Sequence, residues 1–206
     1  MSNKPLIVFE GIEGSGKTTL INHVSKYLKQ NKKKFIKFRE PGGTKNSEKL
    51  RKIILNNKSN FNRKSDLLLY LAARSENFEK IIKKNYKKKI LVIDRFTDST
   101  LAYQHYGMGI QMSLIIKINK FIIGNINPDI TFINLVNKKN LKKRLNKRLN
   151  KNKYDKFNYN FYSKVQNGFI KLSRNKQKKY FIINSNNNLR KNKNFVIKEI
   201  NKILKT

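Results

Sequence analysis

The sequence predicts an α/β fold, a five-stranded parallel sheet flanked by helices, in a single domain over residues 1–206. Three observations carry it. Short apolar runs of strand length alternate with helical segments along the chain. The runs are near-continuously apolar, as strands covered on both faces are. A glycine-rich turn follows the first run, at the carboxyl end of a strand, where such sheets bind ligands.

Each element has its own signal. Leu6–Phe9 is a short apolar run and the first strand. Thr18–Lys29 reads as a helix with Leu20, Ile21, Val24, Tyr27 and Leu28 on one face. Phe35–Phe38 is the second strand, and Pro41-Gly42-Gly43 breaks the chain after it. Glu48–Leu55 and Leu67–Ile82 read as helices, and Ile90–Ile93 as the third strand, ending in Asp94-Arg95. Ser113–Ile123 is helical and Ile130–Val136 is the fourth strand. Asn140–Leu149 is helical, with Leu141, Leu145 and Leu149 on one i, i+4 ridge. Tyr180–Ile183 is the fifth strand and Phe195–Leu204 a closing helix. The Asn/Lys stretch Asn184–Asn194 is low in complexity and reads as a loop.

Composition excludes several classes. With no cysteine there is neither a disulfide framework nor a thiolate metal site. The longest apolar stretch, Leu67–Ala73, is far short of a membrane span, and Met1–Phe9 is too short for a signal peptide. The expected setting is the cytoplasm, with no membrane partner. Leu, Ile, Val and Phe make up about 31% of the chain, above the roughly 20% below which high charge implies disorder. Lys and Arg number 48 against 12 Asp and Glu, a net charge of +36. Such a charge invites a nucleic-acid reading. But the lysine runs 32–34, 87–89, 138–139 and 176–179 lie in different segments, which favours a solvated surface and no specific nucleic-acid partner. The carboxylates are more telling: Glu10, Glu13, Glu40, Asp94 and Asp98 fall inside three short motifs.

The first motif is Gly11-Ile12-Glu13-Gly14-Ser15-Gly16-Lys17-Thr18, which satisfies GxxxxGK[ST]. Its glycines let successive backbone N–H groups curl around a polyphosphate, and the following helix adds its positive end. Lys17 reaches the β- and γ-phosphates, and the Thr18 hydroxyl ligates Mg²⁺. Strand, loop and helix in this order are the core of the P-loop NTPase fold. Glu13 is awkward inside a phosphate loop; it either turns away or serves a second substrate by accepting a sugar hydroxyl or holding a Mg²⁺-bound water. The second motif is Asp94-Arg95. A carboxylate at that strand end acts on Mg²⁺, through water, and the planar fork of Arg95 suits a phosphoryl group.

Three segments together resemble the bacterial thymidylate kinase family. They are Phe9–Thr19, Arg39-Glu40-Pro41-Gly42-Gly43-Thr44 and Asp94–Gln104, the last reading DRxxxSxxAYQ. Weaker matches at Ala72-Ala73-Arg74, Pro128–Thr131 and Val165–Phe169 extend the likeness over nearly the whole chain. The resemblance implies a kinase that transfers the γ-phosphoryl group of MgATP to dTMP in dTTP synthesis, acting as a homodimer. It implies that Tyr70 stacks on thymine and that Arg74, four residues on, donates to O4. It implies that Thr100 and Gln104 read the base edge, that Tyr103 crowds the 2′ carbon, and that Ser99 supports them. Arg51 and Arg95 would hold the dTMP phosphate, and Arg39 and Glu40 would shape the acceptor pocket. His23 and His105 have no base role. The work is positioning and charge neutralisation.

The likeness weakens at the lid, expected over residues 147–158. Family lids often carry Asp-Arg; here Asp155-Lys156 stands in its place and a few residues appear missing. Lysine keeps the charge but loses the bidentate fork, so slower turnover is expected than with arginine. Arg144 or Arg148 would compensate at the ATP phosphates. Competing readings are a kinase for another nucleoside monophosphate, an ATP-dependent nucleic-acid-binding module, and an inactive relative.

Overall fold

The structure, a computed structural model, describes residues 4–149, 152–175 and 179–204. Residues 150–151 of the expected lid and 176–178 of the last lysine run lie outside the described residues. β1 (Leu6–Glu10) leads through the glycine-rich turn into α1 (Lys17–Gln30), then β2 (Phe35–Arg39), α2 (Lys45–Leu55) and α3 (Arg63–Asn77). A π-helical turn over Phe78–Ile82 and the short α4 (Lys83–Asn85) precede β3 (Ile90–Asp94). α5 (Thr97–Thr100) continues as a π-helix over Leu101–Gly107, followed by α6 (Met112–Ile123), β4 (Ile130–Leu135) and α7 (Lys138–Asn146). A 3₁₀ turn at Lys153–Lys156, α8 (Tyr159–Leu172), β5 (Tyr180–Asn184) and α9 (Leu189–Leu204) complete the order.

The five strands form one parallel sheet in the order β2-β3-β1-β4-β5. β1, at its centre, is buried throughout. Alternation along it feeds two cores, as a period of two requires. Ile7 and Phe9 pack with Val24 and Leu28 of α1 and Val196 and Ile200 of α9; Phe9 also stacks on Phe132 at 5.1 Å. Leu6 and Val8 pack on the other face with Ile93, Phe96 and Ile123. Register aligns Phe9 with Asp94 and with Phe132, so the carboxyl ends of β1, β3 and β4 open at one edge. All five expected strands and the expected order of helices are present.

Several boundaries differ, each for a local reason. α3 starts at Arg63, because Asn62 accepts from the backbone of Lys64 and Ser65 as an N-cap. Its expected end, 78–82, is wound as a π-turn. α9 starts at Leu189, inside the stretch read as a loop, with Asn188 accepting from the backbone of Arg190. α7 ends at Asn146, and Leu149 is 97% exposed, so the expected ridge stops at Leu145. The helix over 97–107 and all of α8 were not foreseen.

α8 packs tightly on the π-helix. A Cβ on Gly168 would lie 2.6 Å from a ring carbon of Tyr106, and one on Gly107 would lie 2.8 Å from the Phe161 ring. Only glycine lets the two helices approach this far. Gly168→Ala is therefore expected to destabilise the fold by about 1–3 kcal/mol, the usual range for overpacking, read as a lower midpoint in urea unfolding. An unchanged midpoint would mean that the helices part without penalty.

Candidate active site

A cleft of about 870 Å³ opens over the carboxyl edge of the sheet and is lined by the phosphate loop, α3, the helix after β3, and the segments after β4 and β5. Gly11 has φ +136°, and a Cβ there would sit 2.4 Å from the carbonyl oxygen of Asn134. The loop therefore lies directly on the end of β4. Lys17, 7% exposed, donates to the carbonyls of Gly11 and Ile12 at 2.9 and 3.0 Å. Burial, helped by Arg95, lowers its pKa to about 8. Arg144 donates to Gly14 O and Ser185 O, both at 2.8 Å, and so straps α7 to the loop and to the end of β5. Thr18 is exposed in the cleft.

The ends of β1 and β3 carry the acidic groups. Glu10 is fully buried; it accepts from the backbone N–H of Phe96 at 2.8 Å and of Ser99 at 3.2 Å, and from the Ser99 hydroxyl at 2.5 Å. It thus caps the helix that begins at Thr97. Burial, with Asp98 nearby, pushes its pKa up to about 8. Glu13 accepts from Arg95 at 2.8 Å and from the Tyr103 hydroxyl. Burial would raise its pKa, but Arg95 and Lys17 outweigh that and hold it below the ordinary carboxylate range. Arg95 has φ +69°, an uncommon backbone for a side chain of its size. Its guanidinium lies over the Tyr103 ring at 5.1 Å and donates to Ser99 at 3.3 Å.

The far half of the cleft is built around Arg74, 3% exposed. It donates to Glu40 at 2.8 Å, Thr100 at 2.8 Å, Asn119 at 2.6 Å and the carbonyl of Phe96 at 2.9 Å. A guanidinium has five N–H groups, so about one remains for a ligand. Gln104 is 1% exposed, and its side-chain nitrogen has no hydrogen-bond partner. Tyr70 lines the same space. Arg51 donates to Pro41 O at 2.7 Å, and the half-exposed Arg39 pairs with Glu48 at 3.3 Å.

The cleft lining includes Glu13, Gly14, Ser15, Gly16, Lys17, Thr18, Arg39, Glu40, Arg51, Tyr70, Arg74, Asp94, Arg95, Ser99, Thr100, Tyr103, Gln104, Arg144 and Arg148. Gly11 and Ile12 lie just behind it and offer carbonyls to Lys17. Lys156 is not brought there; it is exposed and outside the lining. Arg148 lines the cleft and pairs with Asp155 at 2.6 Å.

Sequence reasoning missed Glu10 as a helix cap, Asn119 as a partner of Arg74, Asp66, and Tyr154, which lines the cleft. It also dismissed Asn186, Asn187 and Asn192, which line the side next to the phosphate loop. For Glu10 a signal existed: a carboxylate in an apolar strand has to be partnered. For the others the partners lie too far apart in sequence to be paired by spacing.

A Mg²⁺ ion would fit where Thr18 and Asp94 face the cleft. One carboxylate oxygen of Asp94 is buried with no hydrogen-bond partner. Mg²⁺ is held by one or two protein oxygens plus phosphates and water, so this donor set is sufficient.

The thymidylate kinase family model matches residues 9–196. The thymidylate kinase of Thermosipho africanus (strain TCF52B) is 42% identical over 178 residues, covering 86% of this chain and 88% of its own length. That of Mycoplasma capricolum is 36% identical over 203 residues, covering 97% and 95%. The crystal structure of thymidylate kinase from Ehrlichia chaffeensis matches with a TM-score of 0.77 at 34% identity, covering 96% of this chain and 98% of that one. With the phosphate loop, the REPGGT turn and the helix after Asp94-Arg95 all within the matched span, the chain belongs to the thymidylate kinase family.

Proposed function

We propose that the cleft transfers the γ-phosphoryl group of MgATP to the 5′-phosphate of dTMP, giving dTDP and ADP. One observation carries the reading: a phosphate loop and a buried polar base-sized pocket share one cleft, with Arg95 between them. The ATP phosphates lie in the loop, over Lys17 and the backbone of Gly14–Thr18. Arg144 keeps that loop in place, and Arg148 is the cation offered from the lid side. Thr18 and Asp94 would hold Mg²⁺, which neutralises charge on the β- and γ-phosphates.

The acceptor lies opposite. Tyr70 stacks on the base, Arg74 spends its remaining N–H on a carbonyl oxygen, and Gln104 supplies the buried donor that otherwise lacks a partner. Thr100 accepts from Arg74, so its own proton is free for the base. Tyr103, tethered to Glu13, stands against the 2′ carbon. Arg51 and Arg95 hold the acceptor phosphate, and Arg39 and Glu40 wall the pocket. The acceptor is already an anion, so no strong base is needed; alignment and charge neutralisation suffice. Lys156 receives no part in this scheme.

Homodimerisation is supported by α3 and α6, which pack together and leave Leu68 58%, Leu114 44% and Phe121 89% exposed. No helix among the described residues is long and apolar enough to cross a membrane.

Three measurements test this. In a coupled assay with dTMP, dUMP, dCMP and dGMP, dTMP is the expected best acceptor; a strong preference for another ends the reading. ATP affinity is expected to depend on pH through Lys17. Its amine is charged below pH 8 and neutral above, so binding at higher pH must first take up a proton. The dissociation constant should rise by up to about tenfold per pH unit above 8. A flat titration from about pH 7 to about pH 9.5 would contradict this role for Lys17. Phe121→Lys is expected to shift the protein to a monomer in light scattering; a dimer that persists would place the interface elsewhere.

A further inference from the structure

We propose that Tyr154 is a specificity-determining wall of the acceptor pocket, and that Asp66 is the residue that positions it. The inference rests on the phosphoryl-transfer reading above and assigns to it two residues outside the three motifs. Tyr154 lines the cleft and is 2% exposed. Its ring meets Tyr70 edge-on at 6.1 Å and Tyr103 edge-on at 5.8 Å. Those are the rings given to the base and to the deoxyribose. Tyr154 therefore sets the distance between them, and with it the width available to a nucleoside.

The ring is held by its hydroxyl, which donates to Oδ2 of Asp66 at 2.6 Å. The other oxygen of Asp66 accepts from Lys153. Asp66 is 3% exposed and sits one turn before Tyr70 on α3. The helix that presents the stacking ring thus also anchors the ring that bounds it, across 88 residues of sequence. From the other side, the Tyr162 hydroxyl donates to the carbonyl of Tyr154 at 2.6 Å, and Asn152 and Asp155 close a capping box around the turn. The acceptor pocket is complete only with this turn seated on α3. A buried carboxylate bridging two segments would look the same if it merely stapled the fold, so the test must separate substrate width from stability.

The variants are Asp66→Asn, Tyr154→Phe and the double. Each is measured for KM of dTMP at saturating MgATP, KM of ATP at saturating dTMP, dTMP affinity by calorimetry, and thermal unfolding without ligand. Each single change removes one hydrogen bond to a charged group, and KM for dTMP is expected to rise about tenfold. KM for ATP should stay within about twofold, and the double variant should match either single, because both delete one shared contact. An unchanged KM for dTMP in both singles, a parallel rise for ATP, or multiplicative effects in the double overturns the proposal. Tyr154→Phe keeps the ring and its packing, so it decides the matter if Asp66→Asn does not fold. Turnover of the unaltered protein with dTMP checks the underlying reading separately: no turnover there ends that reading, whereas turnover with indifferent variants ends only this one.

Discussion

Cations crowded into one concave site repel one another, and the carboxylates of this chain are placed where that repulsion is worst. Lys17 shows the strain directly, since burial and Arg95 bring its pKa down to about 8. The arginines around it are each answered: Arg95 by Glu13, Arg74 by Glu40, Arg39 by Glu48. In a chain with a net charge of +36, these few pairs decide which cations face the ligand and at what angle. The rest of the lysines are spread over the surface and do not bear on that geometry.

The pairs are not equivalent in energy. Arg39–Glu48 is roughly half exposed, and exposed pairs contribute about 0–1 kcal/mol. Arg74–Glu40 is almost wholly buried, so desolvation offsets most of the Coulomb gain. Breaking such a pair from one side costs about 3–5 kcal/mol, because a charge is left stranded. Its use is therefore orientation. Asn77 donates to the carbonyl of Gly42 at 2.7 Å, and Ser47 donates to Asn77 at 2.9 Å, so the REPGGT turn, α2 and α3 are joined in one network behind the pair. One buried guanidinium ties three sequence motifs into one wall.

How much of this is legible in the sequence depends on the range over which the signal acts. The strands show because a sheet covered on both faces needs unbroken apolar runs, and the phosphate loop shows because glycines and lysine must stand at fixed spacing. Most acceptor residues show only through family likeness, on positions 39–40, 70–74 and 99–104. The helix over 97–107 was hidden because its buried positions are Ser99, Thr100, Tyr103 and Gln104, polar groups that satisfy a ligand and one another and leave no apolar stripe. Its seven π-wound residues also turn more slowly than an α-helix, so reading Thr100 and Gln104 as α-helical i, i+4 neighbours simplifies how they stand. α8 was hidden by composition: Tyr162, Val165, Gly168 and Phe169 form its buried face, and two of them carry weak or no hydrophobic signal. Lys156 was read by alignment to an arginine, but the 3₁₀ turn directs it outward while its neighbours Lys153 and Tyr154 face α3.

That last mismatch follows from how a short segment must be held. A long lid can reach its ligand and be ordered by it. A short one, with α7 ending at Asn146 and α8 starting at Tyr159, has few residues to order and few ways to turn. Each fixed residue costs about 1–2 kcal/mol of backbone entropy, so contacts with the protein itself must offset it. Here they are local and dense: Asp155 caps the turn and pairs with Arg148, Phe157 stacks on Phe161 at 4.0 Å, and Tyr154 lies among Tyr70, Tyr103 and Phe157. A segment anchored that firmly serves better as a fixed wall than as a carrier of a phosphate-seeking cation. The cations left to the phosphates are then those on rigid elements, Lys17 at the start of α1 and Arg95 at the end of β3, which is consistent with a site that works by alignment.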